Sequence, residues 1–447
     1  MFPNPQDALP QPARLSLEQY RKLAKDLVKV CKTGDPEAIH NRITLWIRDL
    51  VSHSGLDLTP TLPVAVEGWI DEITIFTTQT LLNGKRTCAL TDAQFVIARS
   101  HGFASWPKFM QHIEQASVVT SAVAEFEAAA DAIICGDLAT LKRLIEKNPS
   151  LVGQHSTREH HATLLHYTSA NGVEGYRQRT PANIVAIAEF LLEAGAQIDA
   201  EADVYGGGCT TLGLAATSVH PETAGVQEAL LQLLLDHGAQ IEKPNLAGNG
   251  TGAVVSCLAN GRLQAAVFLA SRGAHLDLEG AAGVGRLDTV KTFFDTSGQL
   301  LAPATKRQLQ KGFLWACMYG WNDVVVFLLD HGANVRDPAE TGATGLHWAA
   351  GGAHLGIVKH LLLAGSSLED LNRWGGTVLE HAGYGLEHNT ANADFAATFE
   401  ALLAAGAAIR GPEVPGSWLR WIDRLKDLPA AQKNRIAEIF RRYASTR

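Results

Sequence analysis

The chain has 447 residues, 46% hydrophobic and 19% charged, and a formal net charge of −8 from 38 basic and 46 acidic side chains. These ordinary values exclude a collagen, a coiled coil or a wholly disordered chain. No uncharged apolar run reaches the roughly 18 residues that span a bilayer, so no membrane partner is expected.

Residues 1–13 show neither a basic stretch nor the apolar core of a secretory signal, and read as a flexible N-terminus. Residues 14–117 read as an N-terminal helical cap domain, with Trp106 and Phe109 as core candidates around a turn at Gly102. With 12 basic and 11 acidic residues, this segment is too balanced for a phosphate-binding surface, so no nucleic acid is expected on it. Residues 118–416 carry a net charge of −13, and 417–447 carry +5 on a helical C-terminal cap with Trp418, Trp421, Leu425, Ile436, Ile439 and Phe440 as its apolar residues. Cys31, Cys88, Cys135, Cys209, Cys257 and Cys317 stand singly, which predicts reduced thiols in a cytoplasm rather than a disulfide framework or a zinc ribbon.

The middle of the chain is periodic. Leu-Leu-x-x-Gly-Ala recurs as LLEAGA from Leu191 and as LLDHGA from Leu234 and Leu328, with weaker copies from Leu269, Leu361 and Leu402. Anchors at 148, 195, 238, 273, 297, 332, 365 and 406 fit a base period near 33 with insertions and one deletion. Within 356–364, Ile357, Val358, Leu361 and Leu362 form the stripe of an amphipathic helix, and the glycine after it supplies a left-handed stop. Each unit is helix, turn, helix, glycine stop and loop, and must stack on a neighbour to bury its apolar face. Many of the 41 glycines fall at these stops, turns and tips.

Thr344-Gly345-Leu346-His347 opens the most regular unit, and Thr163-Leu164-Leu165-His166 repeats its pattern; TTLG at Thr210 and TVLE at Thr377 are degenerate. These tetrapeptides resemble the TPLH of the ankyrin repeat, without its proline. The resemblance covers roughly residues 122–410 and implies an all-α fold, an ankyrin-repeat α-solenoid of about eight helix-turn-helix repeats between helical caps. It also implies that Thr caps the first helix and that His166 and His347 are structural. Residues 14–117 resemble the N-terminal helical region of some bacterial ankyrin-repeat proteins.

Insertions mark what stacking does not require. They fall at 173–183, 220–226 and 387–394, each at the turn between the two helices of a repeat. The first two are expected to abut as a ledge, offering Tyr176, Arg177 and Arg179 to an anionic group of a ligand; the competing reading pairs both arginines with acidic neighbours. The resemblance places binding residues at loop tips and first-helix ends. The tips are Glu159 and His160, the Tyr205-Gly206-Gly207 turn, Glu340 and Thr341, and Arg373 and Trp374. The helix ends are Ala170 and Asn171, Ala259 and Asn260, Met318 and Tyr319, and Tyr384. Tyr319, Arg373, Trp374 and Tyr384 fall in three consecutive repeats and are expected to share a patch, with Trp315 and Trp348 in the core.

Catalytic signals are weak. His155, Glu159, His160, His161 and His166 crowd one loop but match no metal-ligand spacing, so no metal is expected. GNGTG at Gly248 and GAAGVG at Gly280 lack a preceding strand and a GK[ST] ending, and no cofactor is expected. Cys209 and Cys317 have no base linked to them by spacing. The sequence therefore points to a cytoplasmic interaction module that binds a protein or peptide on its concave face, without chemistry of its own. The alternative is a small-molecule or catalytic pocket built by the insertions of repeats two and three.

Overall fold

A computed structural model describes residues 4–12, 16–54, 62–82, 88–242, 252–388, 394–410, 416–426 and 428–444. Among these residues the regular structure is helical and no strand forms; isolated bridges join His155 to Thr163, Ala202 to Cys209 and Phe294 to Leu300. No helix among them is long and apolar enough to cross a membrane. The chain divides into two compact units, Met1–Thr251 and Gly252–Arg447.

Unit 1 begins with α1 (Leu17–Cys31), α2 (Pro36–His53), α3 (Leu62–Leu82), α4 (Leu90–Ser100) and α5 (Trp106–Ala116), which share one apolar core. Ser16 caps α1 by accepting the Gln19 N–H, and Asp35 caps α2 ahead of Pro36 at its first position. Phe109 is fully buried and its ring packs against Tyr20, His101 and Trp106.

Two sequence expectations change here. Residues 4–12 are not a flexible tail: Ala8 and Leu9 are buried, and the Leu9 N–H donates to the Ser100 carbonyl at 2.7 Å. Leu9 is apolar surface that the core of α1–α5 covers. Cys31 and Cys88, expected as separate thiols, form a disulfide, because helix packing brings their Cα atoms to 6.0 Å although they lie 57 positions apart. Cys135, Cys209, Cys257 and Cys317 are free. The cysteine pattern thus no longer argues for a reducing compartment.

The rest of unit 1 is a run of hairpins: α6 (Ala122–Cys135) with α7 (Leu138–Lys147), a 3-10 turn (Leu164–Ser169) with α8 (Ile184–Glu193), and α9 (Thr211–Thr217) and α10 (Val219–Thr223) with α11 (Gln227–Asp236). Gly136 ends α6 at φ +76°, the left-handed stop expected there. The second hairpin opens with a 3-10 turn, where Thr168 and Ser169 hydroxyls donate to the Leu165 and His166 carbonyls at 2.6 Å and compete with helical bonding. Its Thr163 N–H donates to His166 Nδ1 at 3.0 Å, so Nε2 carries the ring proton and faces the Cys209 carbonyl at 3.2 Å. That bond ties one hairpin to the next, as the resemblance implied for this histidine.

Unit 2 continues the pattern with α12 (Ala253–Ala259) and α13 (Leu263–Ser271), α14 (Leu278–Gly283) and α15 (Leu287–Lys291), α16 (Lys306–Tyr319) and α17 (Asn322–Asp330), α18 (Gly345–Gly351) and α19 (Leu355–Leu363), and α20 (Val378–His388) and α21 (Phe395–Ala404). Two cap helices follow, α22 (Gly416–Arg424) and α23 (Ala430–Ala444). One core runs from Leu278 to Phe440, and Phe440 stacks on Trp418 at 4.8 Å. First helices approach closely where they carry glycine: Gly385 of α20 lies so near the Gly351 carbonyl of α18 that a Cβ would collide with it. The Gly280 run is helix α14 packed against α16, not a phosphate loop; GNGTG lies largely outside the described residues. The basic tail faces acid: Arg435 Nη1 lies 3.2 Å from both Asp394 carboxylate oxygens, and Arg442 pairs with Glu400.

Three buried histidines in unit 1 make its stability pH-dependent. Burial pushes His101 down to about 3, and His112 and His166 to about 4. The folded chain keeps these rings neutral while the unfolded chain protonates them near 6.5. Stability is therefore fully present above that pH and falls as pH drops from 6.5 toward 4, by up to about 1.4 kcal/mol per histidine per pH unit. Urea midpoints taken from pH 8 to 5 should be level above about 7 and decline below 6.5, before carboxylates titrate. A midpoint that stays level down to pH 5 contradicts this account.

Candidate functional site

The insertion 173–183 was expected to project from the fold. It folds inward instead: Val173, Glu174 and Arg177 are buried, and the short 3-10 turn Gly175–Arg177 packs on the N-terminal segment, with Gly175 against the Gln6 carbonyl. The second insertion forms α10, with Pro221 buried, and the third lies mostly at 389–393, outside the described residues.

Arg177 is therefore no anion receptor. Its Nε donates to Asp131 Oδ1 at 2.9 Å, Nη2 lies 2.8 Å from the same oxygen, and Nη1 lies 2.8 Å from Glu127 Oε2 and 3.5 Å from Glu174 Oε1. Arg158, 1% exposed, lies beside it: Nη1 donates to Glu127 Oε1 at 2.6 Å and Nε lies 2.8 Å from Glu174 Oε1. Both guanidinium forks are occupied by carboxylates of the same fold. Burial pushes the Glu127 carboxyl up, but Arg158 and Arg177 outweigh it and hold it at about 2; the same two arginines keep Glu174 well below the usual range. His160 joins the cluster with Nε2 3.5 Å from Glu174 Oε1, while its Nδ1 accepts the Ala162 N–H. Tyr176 is half-buried there, its hydroxyl 3.5 Å from Arg158 Nη2. Arg179 is half-buried, and its N–H donates to the Arg177 carbonyl at 2.8 Å.

The other loop candidates scatter. Glu159 pairs with Arg99, and His161 Nδ1 reaches Asp203 at 2.7 Å while His155 Nδ1 faces the His161 carbonyl. Among the described residues no group of three or more His, Cys, Asp or Glu is placed to hold a metal ion. Burial pushes the Cys209 thiol up and the Cys317 thiol well above its ordinary range, the opposite of an activated nucleophile. Asn171 donates to the Leu214 carbonyl and Thr217 Oγ1, and the exposed Tyr205 donates its hydroxyl to Asn171 Oδ1 at 2.9 Å.

In unit 2 the expected four-residue patch contracts. Tyr319 stacks on Trp315 and donates its hydroxyl to the Leu258 carbonyl at 2.8 Å, and burial pushes it up to about 12. Met318 is half-buried beside it, its carbonyl 3.0 Å from His354 Nε2. Trp315 and Trp348 are both half-buried, Trp348 packed against the unit's core. Trp374 and Tyr384 remain outward at 65% and 60% exposure. The exposed Arg373 lays its guanidinium 4.4 Å from the Trp374 ring centre. The tip is braced: Asn372 Oδ1 accepts the Trp374 and Gly376 N–H groups, and the Arg373 N–H donates to the Thr341 carbonyl of the preceding tip. Asn372 Nδ2 also lies 3.4 Å from His381 Nδ1 on α20, one turn before Tyr384.

The braced tip belongs to a stretch, residues 278–373, that matches the family model for ankyrin repeats in three copies. The chain carries ankyrin repeats. No curated protein matches it. Ankyrin repeats are, in general, protein–protein interaction modules.

Sequence reasoning missed Glu127, Asp131, Arg158 and Glu174. One signal was present: Glu127 and Asp131 sit four apart on α6, whose only other charged residue is Glu125, and so share a face. Removing one partner leaves buried charge uncompensated, so Arg158→Ala should cost about 3–5 kcal/mol of unit 1 stability in urea denaturation. A cost below about 1 kcal/mol would mean that the cluster does not hold the insertion in place.

Proposed function

We propose that this ankyrin-repeat protein is an interaction module that holds a protein or peptide partner, without chemistry of its own, on the face of unit 2 carrying Arg373, Trp374 and Tyr384. The observation that carries the reading is a large aromatic ring left in solvent on a rigid tip. Trp374 is 65% exposed, yet its backbone is fixed by Asn372 and its ring is paired with Arg373. Trp and Arg dominate the energetics of interfaces, and a braced loop loses little entropy on binding. Glu340 and Thr341, on the neighbouring tip, extend the same surface through the Arg373–Thr341 backbone bond.

The repeat-two insertion is not part of this surface, since its arginine is spent on internal carboxylates. That arrangement removes the support for an anionic small molecule at Arg177.

Trp374→Ala should leave the urea midpoint within the range of a surface change, about 0.5 kcal/mol, and weaken an identified, purified partner at least about tenfold in calorimetry. Unchanged affinity would place the contact surface elsewhere, and unfolding would make Trp374 a packing residue.

A further inference from the structure

A second recognition feature lies where the last repeat of unit 2 meets its cap. Glu380, Gly383, Tyr384 and Glu387 on α20 face Ser417, Trp418 and Trp421 on α22 across a cavity of about 320 Å³ that is broadly open to solvent. That volume is at the small end of ligand sites, which run to roughly 1,000 Å³. We propose that this cavity is an aromatic cage for an alkylated ammonium cation, a trimethylammonium group being the fitting chemistry.

Three observations point to a cation. Two walls are perpendicular indoles: the Trp418 and Trp421 ring centres lie 5.3 Å apart at 84°. These two indoles and the Tyr384 ring, which stacks on His388 at 4.0 Å, make the lining mostly aromatic, the kind of surface a soft cation is attracted to. The charged residues of the lining are both carboxylates, Glu380 and Glu387, with no basic side chain among them. They flank Tyr384 at positions four before and three after it, so all three share one helical face. Glu380 is held in place because its Oε2 accepts the Thr377 N–H at 2.8 Å and the Thr377 hydroxyl at 3.0 Å, leaving Oε1 for a ligand.

The cage is built rather than incidental. Gly383 forms its floor, and a Cβ there would come within 3.2 Å of Trp418 and 3.4 Å of Trp421, so the indoles close onto bare backbone. Trp418 is fixed from behind by Phe440 and by its Nε1–H, which donates to the Arg410 carbonyl at 3.1 Å. Ser417 Oγ is buried without a hydrogen-bond partner.

Methylation decides between an alkylated ammonium and a plain one. On the three rings methyl groups pack and keep the charge, whereas the N–H bonds of a bare ammonium find acceptors only at Glu380, Glu387 and Ser417, on part of the lining. The group could be carried by a free small molecule or by a modified lysine. The inference rests on this cavity alone, and failure of the Trp374 surface as a partner site leaves it intact.

The test uses the full chain and three probes in calorimetry. These are choline, 3,3-dimethylbutanol as its uncharged isostere, and a short peptide carrying trimethyllysine, with the same peptide unmodified as control. Choline or the trimethylated peptide should bind, and the isostere or unmodified peptide at least about tenfold more weakly. The tighter of the two binders identifies the source of the group. Tyr384→Leu and Glu387→Gln, both at exposed positions, should each weaken binding several-fold with an unchanged urea midpoint. Equal binding of dimethylbutanol would reduce the site to an apolar slot, and no binding of either cation would overturn the proposal.

Discussion

Every hairpin in this chain leaves one apolar face that only a neighbour can cover. That requirement sets the close approach of α18 and α20 through Gly351 and Gly385, and the core that runs from Leu278 to Phe440. It also explains the cap at the end of unit 2. The last repeat would expose Phe399, and Phe440 covers it at 5.3 Å between ring centres. Side chains that the stack consumes are not available to a partner. What stacking leaves over, at tips and at the junction with a cap, is where recognition can sit.

Unit 1 shows the same requirement met with charge. A buried arginine is costly unless its charge is paired, and Arg158 and Arg177 pair with Glu127, Glu174 and Asp131 at 2.6–2.9 Å. These partners come from α6, the 155–163 loop and the insertion, three segments that apolar packing alone would hold with less directional specificity. The cluster thus fixes the geometry of an insertion whose sequence suggests a surface ledge. Its chemistry resembles a ligand site, with two guanidiniums side by side, but the ligands are the chain's own carboxylates.

The repeat was legible because stacking imposes a period: Leu-Leu-x-x-Gly-Ala and Thr-Gly-Leu-His gave the hairpins, the glycine stops and the roles of His166 and His347. Trp374 was legible for the same reason, as a large ring at a tip position. Local sequence could not reveal which groups meet across 31 to 61 positions. Arg158 with Glu127, Cys31 with Cys88, and Tyr319 with Leu258 are all products of packing. The indoles of α22 were read as cap core, and Trp418 is indeed 9% exposed. That Trp418 also walls a cavity depends on Gly383, whose lack of a side chain has meaning only beside its neighbours.

The central claim is a division of labour between an inward insertion in unit 1 and an outward aromatic surface in unit 2. Amide hydrogen exchange, measured on the full chain with and without an identified partner, tests it most directly. The account predicts that partner binding slows exchange at residues 372–388 and leaves 173–179 unchanged. Protection confined to 173–179, with none at the Trp374 tip, would contradict it.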